Sequence, residues 1–116
     1  MRDARDTDGT LSTDACLTLL ANVHRRAVLL SIHDCGVDGG PVPAEEAVPG
    51  PISRSLAVSL NHNHLPKLED SGVVRWDREE ETVAAGPAFG EIEPFIDHLD
   101  DGRGQLPDDW RAGSGR

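Results

Sequence analysis

The sequence predicts an α+β fold that is mostly helical and carries one small antiparallel hairpin. Leucines recur at three- to five-residue intervals from Leu56 to Leu68, which is close to the spacing of one helical face. The leucine run ends at Gly72, a residue suited to the left-handed C-cap of a helix. Val73 and Val74 follow at once, and β-branched residues favour a strand. A long helix that leads directly into a hairpin is therefore the central expectation.

Two shorter helices precede this run. Ser12 or Thr13 caps a first helix that extends to about Ala21. Asn22 then interrupts the helical pattern, and the second helix extends from His24 to about Asp34. We expect the first helix to bury Cys16, Leu17 and Leu20, and the second to bury Ala27, Val28, Leu29, Leu30 and Ile32.

The segment from Cys35 to Pro51 is dense in glycine and proline, which excludes long regular structure. Only the stretch from Ala44 to Val48 is free enough of both residues to form a helical turn or two. The long helix is expected to begin near Ile52 or Ser53 and to reach Ser71. Pro66 cannot donate a hydrogen bond to the carbonyl of His62, so we expect a kink or a restart of the helix there.

The hairpin is predicted from two strand-like runs joined by a turn. The first strand is VVRW, the tight turn covers Asp77 to Glu80, and the returning strand is ETVAAG. A last helix follows from Pro87 to about Leu99, because proline suits the first helical turn. The apolar face of that helix comprises Phe89, Ile92, Phe95, Ile96 and Leu99.

These elements define one domain with two tails. Residues 1–11 are expected to form a disordered N-terminal arm, since they are charged and almost without apolar side chains. The folded domain covers residues 12–99, with the hairpin at about 73–86 and the last helix at about 87–99. Residues 100–116 are expected to form a disordered acidic tail, apart from a contact by Trp110.

The composition is strongly acidic. The chain of 116 residues has 21 acidic and 11 basic side chains, a formal net charge of -10, and Lys67 as its only lysine. Such surfaces are typical of proteins from halophilic cells, where concentrated salt screens self-repulsion. An ordinary acidic protein from a low-salt cell is the alternative. No apolar stretch approaches the roughly 20 residues that span a bilayer, and the N-terminus has no secretory core, so a soluble cytoplasmic protein is expected without a membrane partner.

Two segments carry a family resemblance. The run HLPKLEDSGVV at 64–74 resembles the end of the recognition helix in ArsR-like winged-helix regulators. Together with LANVHRRAVLLSI at 20–32 and the acidic composition, it resembles more closely a family of small haloarchaeal winged-helix domain proteins of uncharacterised function. The resemblance implies a winged helix-turn-helix whose helix around 53–71 reads the major groove, with the hairpin as the wing. One departure is the third helix of such domains, because only PAEEAV between prolines stands in its place.

The exposed side of the long helix offers the candidate DNA-binding residues. Arg54 and Lys67 would bind phosphates, while base edges would be read by polar side chains that suit them. The alternative is that these residues are only the solvated face of an amphipathic helix. The candidates on this helix are Arg54, Ser55, Ser59, Asn61, His62, Asn63 and Lys67.

Four further arginines are candidates with competing structural interpretations. Arg25 and Arg26 begin the second helix, where one could reach a phosphate while the other pairs with an acid of the domain. Arg75 and Arg78 flank the wing turn and could enter a minor groove. The same wing carries Asp77 and a run of three glutamates, which would repel phosphate.

A DNA-binding transcriptional regulator is the leading functional expectation. Double-stranded DNA would be its partner and a homodimer its assembly, through the helix at 87–99 and the first helix, because palindromic sites need two half-site readers. A winged-helix interaction or dimerisation module without DNA binding is the alternative. A metal-responsive regulator is a minor one, since two cysteines and five histidines are present without CxxC or HExxH spacing. No motif points to an enzyme or to a cofactor: GxSxG is missing, and GVDGG lacks the GK[ST] of a phosphate-binding loop.

Overall fold

The computed structural model describes residues 11–35, 40–107 and 110, and these form a mixed α+β fold with a small antiparallel sheet. The helices are α1 (Thr13–Leu20), α2 (Val23–Cys35), α3 (Arg54–Ser59), α4 (Leu65–Asp70) and α5 (Phe89–Asp101). The strands are β1 (Val42–Pro43), β2 (Val74–Asp77) and β3 (Thr82–Ala85). Single turns of helix occur at Ala44–Ala47 and Arg103–Gln105, both of the 3₁₀ type, and at Leu60–His64, which is a π turn.

Polar side chains start both N-terminal helices. The Ser12 hydroxyl accepts from the Ala15 amide at 3.0 Å, and the Asn22 side-chain oxygen accepts from the His24 and Arg25 amides. The predicted cap and the predicted interruption at Asn22 are therefore confirmed.

The five apolar residues predicted to be buried in α2 are all buried. In α1 the prediction was wrong at one position, since Leu17 is 49% exposed and Leu19 is buried in its place. Both patterns place three side chains on one helical face, so only the position of the neighbouring helices decides between them.

The sheet has three strands rather than the two of the predicted wing. β1 pairs with β3 through Val42 opposite Val83 and Pro43 opposite Thr82, so the strand order is β1-β3-β2. Pro43 is tolerated because β1 is an edge strand, where one amide can be missing. The predicted helical turn follows as Ala44–Ala47, and the Ser31 hydroxyl of α2 donates to the Ala47 carbonyl at 2.8 Å.

The long helix, comprising α3, the π turn and α4, extends from Arg54 to Asp70. Ser53 caps it, with its hydroxyl accepting from the Leu56 amide at 3.1 Å. The predicted irregularity is present: the Leu65 amide donates to the Leu60 carbonyl across one extra residue, and α4 restarts with Pro66 in its first turn. Proline at a restart costs no hydrogen bond.

Two glycines join the long helix to the hairpin. Gly72 has φ +83° and ends α4, as predicted. At Gly86 a Cβ atom would lie 2.4 Å from the Gly72 carbonyl oxygen, so only glycine fits this close approach of two backbones. The hairpin turn covers residues 78–81, one residue later than predicted, and Glu81 has φ +58°.

The last helix ends later than predicted and packs on the core. α5 reaches Asp101 and buries Phe89, Ile92 and Ile96, while Phe95 and Leu99 pack half-buried against the same cluster. The remaining core side chains come from α1, α2, the long helix and the hairpin, including Leu29, Leu65, Leu68, Val73, Val74 and Val83.

The start of the predicted C-terminal tail is structured. The chain continues beyond α5 through the turn at Arg103–Gln105, and Trp110 is buried, with its indole nitrogen donating to Asp100 at 3.1 Å. The expected contact by Trp110 is thus present, whereas disorder from residue 100 onward was wrong for residues 100–107. Residues 1–10, 36–39, 108–109 and 111–116 lie outside the described part of the chain, and so do the disorder predictions that fall on them.

In the described segments, no single helix has both the length and the apolar composition to cross a membrane. α1 and α2 meet those two criteria only as a pair, and that pair is bent by 100°.

Candidate nucleic-acid interface

The outer face of the long helix presents the predicted DNA-reading residues. All of them are exposed except Ser59, which is half-buried. Val58 lies among them and is 52% exposed, and Leu17 is the other exposed large apolar side chain in the described part of the chain. An exposed aliphatic group beside asparagines and an arginine provides apolar contact as well as hydrogen bonds, which is what base edges with thymine methyl groups require.

The π turn contains the asparagine-rich part of this face. Leu60–His64 includes Asn61, His62 and Asn63, and all three side chains are exposed. A π turn adds one residue to a helical turn and is frequent at functional sites. The core accounts for its position, because Leu60 and Leu65 are both buried although they are five positions apart in the sequence. The wider turn returns Leu65 to the core side and leaves Asn61, His62 and Asn63 exposed.

Arg25 serves the fold rather than a surface. Its guanidinium donates to the Thr18 carbonyl at 2.8 Å and to the Leu19 carbonyl at 3.2 Å, at the C-terminal end of α1. These carbonyls belong to the last turn of α1, where a cation adds a hydrogen-bond donor and opposes the negative end of the helix dipole. A third nitrogen lies 3.4 Å from the His64 ring, which links α1 to the long helix. Partial burial lowers the pKa of Arg25.

Arg26 plays a similar role on the other side of α1. It donates to the Leu20 carbonyl at 2.8 Å and to the Trp110 carbonyl at 2.8 Å, and its guanidinium lies 5.6 Å from the Trp110 ring centroid. The paired arginines therefore tie the end of α1 to the long helix and to the C-terminal segment.

The two wing arginines differ from each other. Arg78 is paired with Glu69 of α4 at 3.1 Å and lies 4.0 Å from the centroid of the Trp76 ring, so it fastens the hairpin turn to the long helix. Arg75 is exposed on β2.

Among the described residues, the cations without an internal partner lie on the long helix and on β2. Within residues 11–35, 40–107 and 110, Arg103 pairs with Asp100 and three arginines are engaged as described above. Among these described residues, no ion pair or side-chain hydrogen bond holds Arg54, Lys67 or Arg75. All three lie on the long helix or on the adjoining strand. Arg54 is also in the first turn of α3, where the helix dipole disfavours a cation, so helix stability does not explain it.

His64 lies on the inner side of the π turn beside α2. Its ring centroid is 5.9 Å from that of His24, and its Nδ1 accepts from Arg25, which requires a neutral ring. Burial, then the charge of Arg25, then His24 lower the pKa of His64. Nδ1 of His24 is buried and has no hydrogen-bond partner among the described residues.

The cysteines and histidines do not converge. Cys16 is buried, and burial followed by the charge of Glu91 raises the pKa of its thiol. Cys35 is exposed at the end of α2, while His33 is turned to Asp97 of α5 at 2.7 Å. In the described stretches of chain, no group of three or more His, Cys, Asp and Glu side chains is placed to hold a metal ion.

The helix expected to form a dimer interface uses its apolar face inside the monomer. Phe89, Ile92 and Ile96 of α5 are buried in the core of the same chain. The exposed apolar side chain nearest to this region is Leu17 of α1, which shares a shallow apolar surface with Leu99, Leu106 and Pro107.

Comparison with known proteins places the chain in a family. Its residues 17–84 match the model of a domain of unknown function, DUF7344. This match begins within α1, ends within β3 and includes the whole long helix. Neither the curated proteins nor the solved structures include a match to this chain. Since the matched segment covers more than half of the sequence, the chain belongs to the DUF7344 family.

Proposed function

We propose that this protein is a winged-helix DNA-binding regulator of the ArsR-like kind, from a halophilic archaeon, that inserts the outer face of its long helix into the major groove. The location of the cations carries the proposal: Arg54, Lys67 and Arg75, which have no partner among the described residues, all lie on the long helix or β2. Elsewhere in the described chain, Arg25, Arg26, Arg78 and Arg103 bind groups of the protein itself.

The order of elements supports a winged helix. α2 leads into β1, a short helical turn follows, and the long helix then runs into the β2-β3 hairpin. β1 closes the hairpin into a three-stranded sheet, so it holds the hairpin beside the long helix. The turn at Ala44–Ala47 stands where the third helix of such domains would be. It retains a fixed position through the bond between Ser31 and the Ala47 carbonyl.

On this proposal the roles divide along the long helix. Arg54 near its start and Lys67 near its end position the protein on phosphates, and Asn61, His62 and Asn63 at its middle read base edges. Val58, one helical turn before His62, packs on a thymine methyl group. Arg75 reaches the DNA backbone from β2. Arg25, Arg26 and Arg78 have no DNA contact in this proposal, because their guanidinium groups bind groups of the protein itself.

A purified-protein binding experiment tests the assignment. Genomic DNA fragments are captured in molar KCl by the wild type and by the double variant Arg54→Ala/Lys67→Ala. We expect the double variant to retain at least tenfold less DNA. The slope of the logarithm of its affinity against the logarithm of the salt concentration should also decrease by about two, one for each lost phosphate contact. The matched control is Arg78→Ala/Arg103→Ala, which removes the same charge from cations that face protein carboxylates.

The control separates local contacts from net charge. It should retain the wild-type fragments within a factor of about two, if local phosphate contacts dominate. Equal retention by the wild type and by Arg54→Ala/Lys67→Ala, or no retention by either, would contradict the reading role of the long helix.

A protein-interaction module without DNA binding is the second candidate. Leu17 is exposed beside Leu99 and Leu106, and the wing turn carries Glu79, Glu80 and Glu81 with no adjacent free cation except Arg75 in the described chain. Failure of DNA capture together with a Leu17→Asp variant that dissociates a dimer in sedimentation would favour this candidate. If DNA is captured, we propose that two copies meet at the Leu17 surface, because the apolar face of α5 is already occupied.

A further inference from the structure

The long helix is uncharged between its two end cations, Arg54 and Lys67. Residues 55–66 have the sequence SLAVSLNHNHLP, which contains no lysine, arginine, aspartate or glutamate. The next carboxylates along the chain are Glu46 before this stretch and Glu69 after it. In a chain with 21 acidic side chains, a face that served only to be solvated would share that acidic character. Contact with a polyanion explains the lack of carboxylates on this helix better than solvation does.

The side chains on the outer face of the helix form two rows. Residues four positions apart are about one turn apart and lie on the same side of a helix. The first row is Arg54, Val58 and His62, and the second is Ser59, Asn63 and Lys67. All six side chains are exposed except that of Ser59, which is half-buried. The first row starts with a cation and the second ends with one, so the uncharged side chains lie between two groups suited to phosphates.

The length of the uncharged face limits how many base pairs it can contact. Val58 and Asn63 are five positions apart in the sequence. At about 1.5 Å per residue, they are separated by at most about 7.5 Å along the helix axis. Successive base pairs are about 3.4 Å apart, so this distance corresponds to about two or three base pairs.

The residue types on this face distinguish between the bases. In the major groove, arginine and lysine read guanine, and glutamate and aspartate read cytosine. Neither class occurs within residues 55–66. Asparagine reads adenine through N6 and N7, and apolar groups contact the thymine methyl group. Asn63 and Val58 therefore both favour A·T pairs.

Asn61 is less suited to this reading than Asn63. It lines a cleft between the turn at Ala44–Ala47, the long helix and the hairpin, and Glu45 and Glu81 line the same cleft. These two carboxylates repel phosphates on that side of the helix. Asn63 is instead one turn before Lys67, on the side where a phosphate would be attracted.

On the basis of the DNA-binding function proposed above, we propose that the long helix reads a core of about two or three consecutive A·T base pairs. Asn63 bonds to N6 and N7 of adenine in the major groove, and Val58 packs on a thymine methyl group. Arg54 and Lys67 contact phosphates on either side of this core and do not contribute to the choice of base.

Selection from a random library of double-stranded DNA tests the base preference. The wild type and the variants Asn63→Ala and Lys67→Ala retain fragments in molar KCl, and the retained DNA is sequenced. We expect an A·T core with the wild type. Lys67→Ala should bind more weakly but select the same core, whereas Asn63→Ala should lose the preference at one position. Asn63 and Lys67 are both exposed, so thermal midpoints near that of the wild type are expected.

Base analogues in the selected site identify the contacting atoms. 7-Deazaadenine lacks the N7 acceptor, and its use at the contacted adenine should weaken wild-type binding at least about fivefold. The same change should weaken binding by Asn63→Ala less than about twofold. Uracil lacks the thymine methyl group and should weaken wild-type binding about fourfold, as expected for one buried methyl group, but leave Val58→Ala unaffected. Both analogues alter only the major groove, so a preference read through the minor groove would not respond to them.

The outcomes separate this inference from the function on which it rests. If the wild type retains no DNA, both are overturned. DNA binding with a G·C core or without an enriched core would overturn the A·T reading alone. Equal sensitivity of the wild type and Asn63→Ala to 7-deazaadenine, or of the wild type and Val58→Ala to uracil, would also overturn it.

Discussion

Arg25 and Arg26 have a structural role that cannot be inferred from their residue type. Arg25 and Arg26 have the appearance of a basic patch in the sequence, but their guanidinium groups bind the carbonyls that end α1. The bend of 100° between α1 and α2 brings the first turn of α2 under those carbonyls. A sequence can indicate Asn22 as the interruption, yet it cannot give the direction in which the next helix leaves. The sequence therefore allows an internal role for both arginines, but only the relative orientation of the two helices distinguishes it from phosphate binding.

His64 gives the stability of the fold a pH dependence. Its pKa is lowered in the folded state, so the unfolded chain binds the proton more tightly and acidification favours unfolding. The neutral ring stabilises the fold above the ordinary histidine pKa of about 6.5, and this contribution is lost as the pH falls below that value. Protonation would also place a charge against Arg25, which is held by α1.

We expect His64→Gln to weaken the pH dependence of unfolding. Urea unfolding of the wild type at pH 7.5 and pH 5.5 should show a loss of stability on acidification that is smaller in the variant. His98→Gln, an exposed histidine of α5, is the control and should retain the wild-type difference. A variant with the same pH response as the wild type would exclude His64 as its source.

Elements were predicted best where one stretch of chain determines them. The long helix followed from its leucines, and the five-residue step from Leu60 to Leu65 already contained the signal for the π turn. β1 was missed because two residues among prolines carry no local pattern. Its pairing with β3 joins Val42 to Val83 and Pro43 to Thr82, which are 41 and 39 positions apart, and such contacts are set by the whole fold.

The junction of the long helix and the hairpin should be the least tolerant element. We expect Gly86→Ala to lower the free energy of unfolding by about 1–3 kcal/mol or more, because its Cβ would lie 2.4 Å from the Gly72 carbonyl oxygen and 2.8 Å from the Val74 amide nitrogen. Urea unfolding measures the loss. Gly90→Ala in the first turn of α5 meets open space and should instead stabilise by up to about 1 kcal/mol. Similar effects at both positions would show that backbone contact does not constrain Gly86.

At the scale of the whole molecule, the net charge can be predicted from the sequence, whereas the candidate site can be predicted only in part. The net charge of -10 is readable from composition, but which cations remain available is not. The face of the long helix was predicted residue by residue, and its side chains are exposed there except for the half-buried Ser59. The cleft between the turn at Ala44–Ala47, the long helix and the hairpin was not predicted, since its walls come from three separate segments of the chain.

The excess of negative charge should make stability depend on salt. Raising KCl from 0.2 to 2 M shortens the screening length to a few ångströms and weakens self-repulsion, so the thermal midpoint should rise. Glu79→Lys/Glu80→Lys changes the net charge from -10 by +4 to -6 and should show a smaller rise. Thermal unfolding in a KCl series measures both, and equal slopes would assign the salt effect to something other than repulsion.

The π turn has one consequence for how the long helix tolerates change in length. Four residues separate Leu60 from Leu65, where a regular helix would need three to place both on the core side. The asparagine-rich turn thus contains one residue more than is needed to place Leu60 and Leu65 on the core side. Its removal would restore a regular helix, but Pro66 would then collide with the carbonyl one turn before it. Pro66 therefore depends on the extra residue: the helix can be shortened to regular geometry here only if the proline is replaced as well.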